Sequence, residues 1–145
     1  MSSQKNIKFG KNVKIIQPSN LYGCFLEDNV FVGPFVEIQN NVKIGKDTRI
    51  QSHSFICEKT TIGSNCFIGH GTVFTNDKFQ NGKRAMGDNK LILETIIGNN
   101  VLIGSNSTLL PVKICDNVVI GAGSVVTKNI FEEGTYAGNP AKKIK

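Results

Sequence analysis

Apolar residues recur at every sixth position, and the phase holds for most of the chain. From Val32 the series runs through Ile38, Ile44, Ile50, Ile56, Ile62, Ile68 and Phe74. Four positions after each of the first seven stands a small or β-branched residue: Val36, Val42, Thr48, Ser54, Thr60, Cys66 and Thr72. Upstream, Phe9, Ile15, Leu21 and Leu26 take the apolar position; downstream, Leu91, Ile97, Ile103, Leu109, Ile114, Ile120 and Val126 take it. Two steps, Leu21 to Leu26 and Leu109 to Ile114, are five residues long. The rhythm stops once, over residues 75–90.

Six is not a helical period, which would place apolar residues at i, i+3, i+4 and i+7. Val, Ile, Thr and Phe dominate the periodic positions, as strands favour. Gly, Asn and Asp stand between them, as corners with positive φ require. Each hexapeptide is therefore a short strand plus a corner, and three make a triangular coil of about eighteen residues whose neighbours lie about 4.8 Å away. One coil cannot bury its inner face; a stack of coils can. The expected architecture is an all-β parallel solenoid forming a single domain over residues 1–145. It carries an inserted loop at 75–90 and a C-terminal cap and tail at 127–145.

A length of 145 residues suits one domain. No apolar run is long enough to span a membrane, and the polar start Met-Ser-Ser-Gln-Lys-Asn lacks the apolar core of a signal peptide. The expected location is the cytoplasm. Cys24, Cys57, Cys66 and Cys115 are scattered without a C-x-x-C spacing, so unpaired thiols are expected. The net charge of +6 fits a weakly basic surface or an attraction for anionic ligands. No nucleic-acid-binding motif is present.

Three segments go beyond the generic repeat: PFVEIQ at 34–39, IQSHSFICEKTTIGSNCFIGHGTVFTND at 50–77, and IGAGSVVTKNIFEEGTYAGNPAKKI at 120–144. With the repeat, the third resembles the hexapeptide-repeat acyltransferases. The first two are similar to a narrower group that N-acetylates the 3-amino group of nucleotide-linked deoxyamino sugars. The resemblance implies a left-handed parallel β-helix, against the general right-handed rule for parallel crossovers. It implies acetyl-coenzyme A as cosubstrate, no metal, a dTDP- or UDP-linked sugar (a dTDP-3-amino-3,6-dideoxyhexose first), and a homotrimer with sites between subunits. The product would serve surface polysaccharide synthesis. One departure stands out. Relatives follow Asn-Asp with an aromatic, Pro and Arg, then a longer loop with a Trp, whereas this chain reads Asp77-Lys78-Phe79-Gln80-Asn81-Gly82.

Attack of an amine on a thioester needs a neutral amine, an aligned carbonyl and donors for the developing oxyanion. His53 and His70 are the two histidines available as a base. They are expected on neighbouring coils at one edge, and each is read either as a catalytic group or as an inert exposed imidazole. Asn76 and Asp77 open the loop and are read either as turn residues or as contacts to the sugar; with His53 they form the expected acceptor site. Glu37 and Gln39 flank the inward Ile38 and face outward, as strand polarity or as substrate contacts. Gly121, Ala122, Gly123 and Ser124, then Asn139 and Pro140, form the expected cofactor track. Lys128, Lys142 and Lys143 are placed to meet phosphates or to solvate a basic tail. The loop forms the expected wall of the pocket, mobile through Gly82 and Gly87. The alternatives are O-acetylation of a sugar or antibiotic hydroxyl, a γ-type carbonic anhydrase lacking its third histidine, and a non-catalytic scaffold.

Overall fold

The computed structural model describes residues 3–145; the first two positions of the polar start, Met1 and Ser2, lie outside them. The chain coils left-handed into a three-faced β-helix of about seven turns. Face A stacks β1 (Ser3–Lys5), β4 (Asn20–Tyr22), β7 (Glu37–Ile38), β10 (Phe55–Ile56), β13 (Val73–Phe74), β16 (Thr108–Leu109) and β19 (Val125–Val126). Face B stacks β2 (Lys8–Phe9), β5 (Phe25–Leu26), β8 (Lys43–Ile44), β11 (Thr60–Ile62), β14 (Thr95–Ile97) and β17 (Lys113–Ile114). Face C stacks β3 (Lys14–Ile15), β6 (Phe31–Val32), β9 (Arg49–Ile50), β12 (Phe67–Ile68), β15 (Leu102–Ile103) and β18 (Val118–Ile120). The C-terminal hairpin, β20 (Gly134–Gly138) with β21 (Ala141–Lys143), extends face C.

Strands pair parallel in register, so like sits on like: Ile38 on Ile56, Ile44 on Ile62, Ile50 on Ile68. These side chains are wholly or almost wholly buried, each worth about 1.5–3 kcal/mol relative to exposure. The small position has its own chemistry. Thr48 donates to the Gly63 carbonyl, and Ser54 and Thr72 both donate to that of Gly69. A small hydroxyl therefore fits beneath the corner and satisfies a buried carbonyl. Gly69 itself admits no side chain, since a Cβ there would lie 2.6 Å from the Ile103 oxygen and the Ser105 nitrogen.

Corners take positive φ every sixth residue, and Asn fills most of those on the B–C edge. There the amides form ladders, Asn65 to Asn100 to Asn117 and Asn12 to Asn29 to Asp47. Where a coil includes a five-residue step, as between Asn12 and Asn29, the ladder partners are 17 residues apart instead of 18.

The structure departs from the periodic reading at two apolar positions. Phe9 holds the inward phase but is 53% exposed, because its strand pairs with β5 on one side and among the described residues no strand pairs with it on the other. Among the described residues the outer strand edges of that coil are unpaired, and the exposed Lys8, Lys11 and Lys14 stud it. Charged edges of this kind oppose end-to-end pairing. Leu91 does not rejoin the core ladder: it closes a short 3-10 turn, Asn89–Leu91, and is only half-buried. The strand pattern resumes at Thr95.

Candidate active site

Two edges of face A carry the residues singled out by sequence. The C–A edge is a column of corners, Phe35, His53, Gly71, Asn106 and Gly123, each with positive φ. Their backbone amides bond the coil below: His53 to the Pro34 carbonyl, Gly71 to Ser52, Asn106 to His70 and Gly123 to Ser105. His53, His70 and the corner formed by Gly121, Ala122, Gly123 and Ser124 therefore share one edge. Phe35 (φ 61°) and His53 (φ 64°) occupy the left-handed region, which costs a bulky residue of order 1 kcal/mol or more. Their rings stack at 5.0 Å and 17°, which offsets part of that cost. His70 and His53 are both exposed, and the Nε2 of His70 lies 3.4 Å from the Gln51 amide nitrogen.

The other edge, A–B, is where the loop leaves. A groove of about 340 Å³ opens there across face A, lined among others by Gln39, Phe55, Val73, Asn76, Asp77 and Phe79. Gln39 donates to the Glu37 carboxylate at 3.2 Å and accepts from the Glu58 amide at 3.0 Å. Asn76 donates to the Glu58 carbonyl at 3.1 Å. Glu58 precedes Asn76 by one full coil of 18 residues, the spacing in the sequence that points to this contact. Burial and the neighbouring Glu37 charge push the Tyr22 phenol up from its ordinary value at the foot of this network.

Asp77 anchors the loop. One carboxylate oxygen accepts from the Phe79 amide at 3.0 Å, the other from Ala85 at 2.7 Å. Lys59 adds a second anchor, donating to the carbonyls of Asn89 and Ile92. The wall expected to be mobile through its glycines is thus tied down from two sides. Gln39, Asn76 and Asp77 meet in one groove, with Glu37 attached through Gln39. Within one chain His53 does not join them: it stands on the opposite edge of face A.

Ser124 is buried; its hydroxyl donates to the Gly121 carbonyl at 2.6 Å and accepts from the Gly138 amide, so it ties the corner to the hairpin. Ala122 and Gly123 are exposed beside it, as are Asn139 and Pro140 in the hairpin turn. Lys128 and Lys142 are exposed. Lys143 pairs with Glu132 at 2.6 Å, and that hydrogen bond raises its pKa.

The four thiols are unpaired. Burial pushes Cys24 up to about 11 and raises Cys57 and Cys66 as well. A thiol-specific reagent at pH 8 is expected to label only the half-buried Cys115 in the folded protein, and all four after unfolding. Fast native labelling of Cys24 would contradict this. The sign for stability follows: the unfolded chain releases these protons near pH 9 while the folded chain holds them, so stability falls as pH rises above that value.

The profile described as the hexapeptide repeat of succinyl-transferase matches residues 59–74 and 94–128, leaving out the insert. The bacterial transferase hexapeptide profile (six repeats) matches residues 23–58. No curated protein sequence gives a significant match. Among solved structures, a hexapeptide transferase family protein from Anaplasma phagocytophilum superposes with a TM-score of 0.80 at 18% identity, over 98% of this chain and 81% of its own. The polySia-specific acetyltransferase NeuO gives 0.63 at 24%, over 99% and 84%. The GDP-perosamine N-acetyltransferase of Caulobacter crescentus gives 0.62 at 17%, over 94% of this chain, which spans about half (52%) of that enzyme. The structures share the fold, and the two profiles carry the repeat that builds it: the chain belongs to the hexapeptide-repeat acyltransferases.

Proposed function

We propose that the protein is a cytoplasmic N-acetyltransferase. It would move the acetyl group of acetyl-coenzyme A to the 3-amino group of a dTDP- or UDP-linked amino-deoxy sugar destined for surface polysaccharide. The observation that carries this reading is the A–B groove. Its wall of Phe55, Val73 and Phe79 suits a deoxy sugar, its rim of Gln39, Asn76 and Asp77 suits an amine and hydroxyls, and within one chain no histidine lines it. The amine lone pair attacks the thioester carbon, the C–S bond breaks, and the departing thiolate takes the amine proton. Such a reaction rests on positioning. The perosamine enzyme, whose complex contains coenzyme A and GDP-perosamine, supports the class of acceptor by analogy only.

The small residues of the C–A edge, Gly121, Ala122 and Gly123, fit an extended cofactor arm lying near the backbone. A Cβ at Gly123 would meet nothing within 4 Å, so the edge is open there. Acetyl-coenzyme A would then run beside His70 and His53. The acceptor groove lies on the far edge, and this division favours a homotrimer in which one subunit's C–A edge meets its neighbour's A–B edge. Light scattering that finds a monomer at working concentration would remove that element.

The strained, stacked His53 favours one other reading, O-acetylation of a sugar or antibiotic hydroxyl. An alcohol needs a general base, worth about 10²–10⁴-fold. The double variant His53→Ala/His70→Ala is expected to keep turnover on an amino sugar within about tenfold of the parent, below that range. A loss of about a hundredfold or more would transfer support to O-acetylation. The primary test is a panel of dTDP-, UDP- and GDP-linked amino sugars with acetyl-coenzyme A, reading thiol release. If none is turned over, the amino-sugar reading fails.

A further inference from the structure

Beyond Asn76, Asp77 and Phe79, which line the acceptor groove, the atypical loop carries charges that the proposed acetyl transfer does not use. It carries four cations, Lys78, Lys83, Arg84 and Lys90, all exposed. Its two acids accept hydrogen bonds from loop backbone: the half-buried Asp77 holds the amides of Phe79 and Ala85, and the exposed Asp88 holds that of Lys90. Among the described residues the one ion pair is Lys143–Glu132, at the other end of the chain. The loop cations are therefore uncompensated. The Asp77 clamp also fixes their placement. The two amides it binds sit on the two oxygens of one carboxylate, so the backbone after Lys78 and the backbone after Arg84 are drawn to one anchor, with Lys83 next to Arg84 in sequence.

Next to the cations in sequence come two large apolar side chains that the fold leaves in water. Phe79 is 65% exposed and also lines the A–B groove, and Met86 is 70% exposed. Cations next to an exposed ring and a thioether match a ligand with a flat apolar ring and several negative charges.

We propose that the loop is a nucleotide subsite. Phe79 and Met86 would receive the base, and Lys83 and Arg84, with Lys78, would receive the diphosphate of the sugar nucleotide while its sugar enters the groove. This rests on the amino-sugar reading and adds the residues that would hold the nucleotide. Coenzyme A also carries a nucleotide and phosphates, so the test must separate the two.

Calorimetry would measure dTDP, UDP, GDP and coenzyme A binding to the parent protein, to Lys83→Ser/Arg84→Ser and to Phe79→Ser. The double variant should weaken the preferred nucleoside diphosphate at least tenfold and flatten its salt dependence, with coenzyme A changed less than twofold. Phe79→Ser should weaken the nucleoside diphosphate more than inorganic pyrophosphate. The inference is overturned if nucleotide binding is unchanged, if coenzyme A is the ligand that weakens, or if the parent binds no nucleoside diphosphate. Thiol release separates this from the broader reading. An amino sugar turned over equally well by parent and double variant leaves acetyl transfer standing and removes the loop subsite. Nucleotide binding that depends on the loop, without turnover of any amino sugar, does the reverse.

Discussion

Asp77→Ala is expected to lower kcat/KM for the amino-sugar acceptor by about a hundredfold or more while leaving the unfolding midpoint of the solenoid nearly unchanged. The carboxylate makes two hydrogen bonds to loop amides, at 3.0 and 2.7 Å. Bonds to a charged acceptor contribute about 1.5–3 kcal/mol each, and roughly 1.4 kcal/mol is tenfold in rate. Losing both would release the backbone at Phe79 and at Ala85 from their common anchor, and with it Phe79 from the groove. The coils would not feel this, because the strands on either side of the insert bond to other coils: β13 to β10 and β16, β14 to β11 and β17. Asp77→Asn keeps the shape but only one good acceptor, so its activity should fall in between. Hydrogen exchange at Phe79 and Ala85 supplies the readout independent of substrate. Fast exchange in Asp77→Ala with slow exchange in the coil amides is the expected pattern. Full activity in Asp77→Ala would show that the clamp does not matter.

Ile68→Ala should remove about 2–5 kcal/mol of stability, enough to threaten folding altogether. Ile68 is fully buried, stacked on Ile50 on one side and Ile103 on the other. A void at this level weakens the interfaces to both neighbours, and in a stacked array those interfaces carry much of the stability. Phe9→Ala, also at an apolar position of the repeat, should cost less than about 1 kcal/mol because the ring is already half in water. Urea denaturation of the two variants checks this. Similar losses would mean that another surface covers the first coil in solution.

The coil architecture was legible because stacking repeats one environment. Each inward Ile meets another Ile, so the same residue type is selected every six positions. Ends and insertions do not repeat, and there the period misleads. Phe9 and Leu91 have the right phase, but phase says nothing about whether a coil lies on both sides. The division of the candidate site was also within reach of counting. Gly71 follows His53 by one coil and Asn76 follows Glu58 by one coil, so His53 and Asn76 belong to different corners of the triangle. What periodicity could not supply was the direction of the loop acids. Asp77 reads equally as a contact for the sugar or as a turn residue, and only the folded loop reveals that its carboxylate spans two loop amides, with Asp88 holding a third.

The insert leaves the helix after β13 and returns at β14, and neither face loses its register: Val73 still pairs with Thr108, and Thr60 with Thr95. A corner that can lengthen without disturbing its neighbours separates two evolutionary problems. The inward positions of the coils answer to stability, since each must match the one above and below. The segment between them answers to whatever ligand it meets, and it can be replaced, shortened or recharged without a compensating change in the core. A scaffold wired this way can lengthen, shorten or recharge one exposed segment while the stacked core keeps its register.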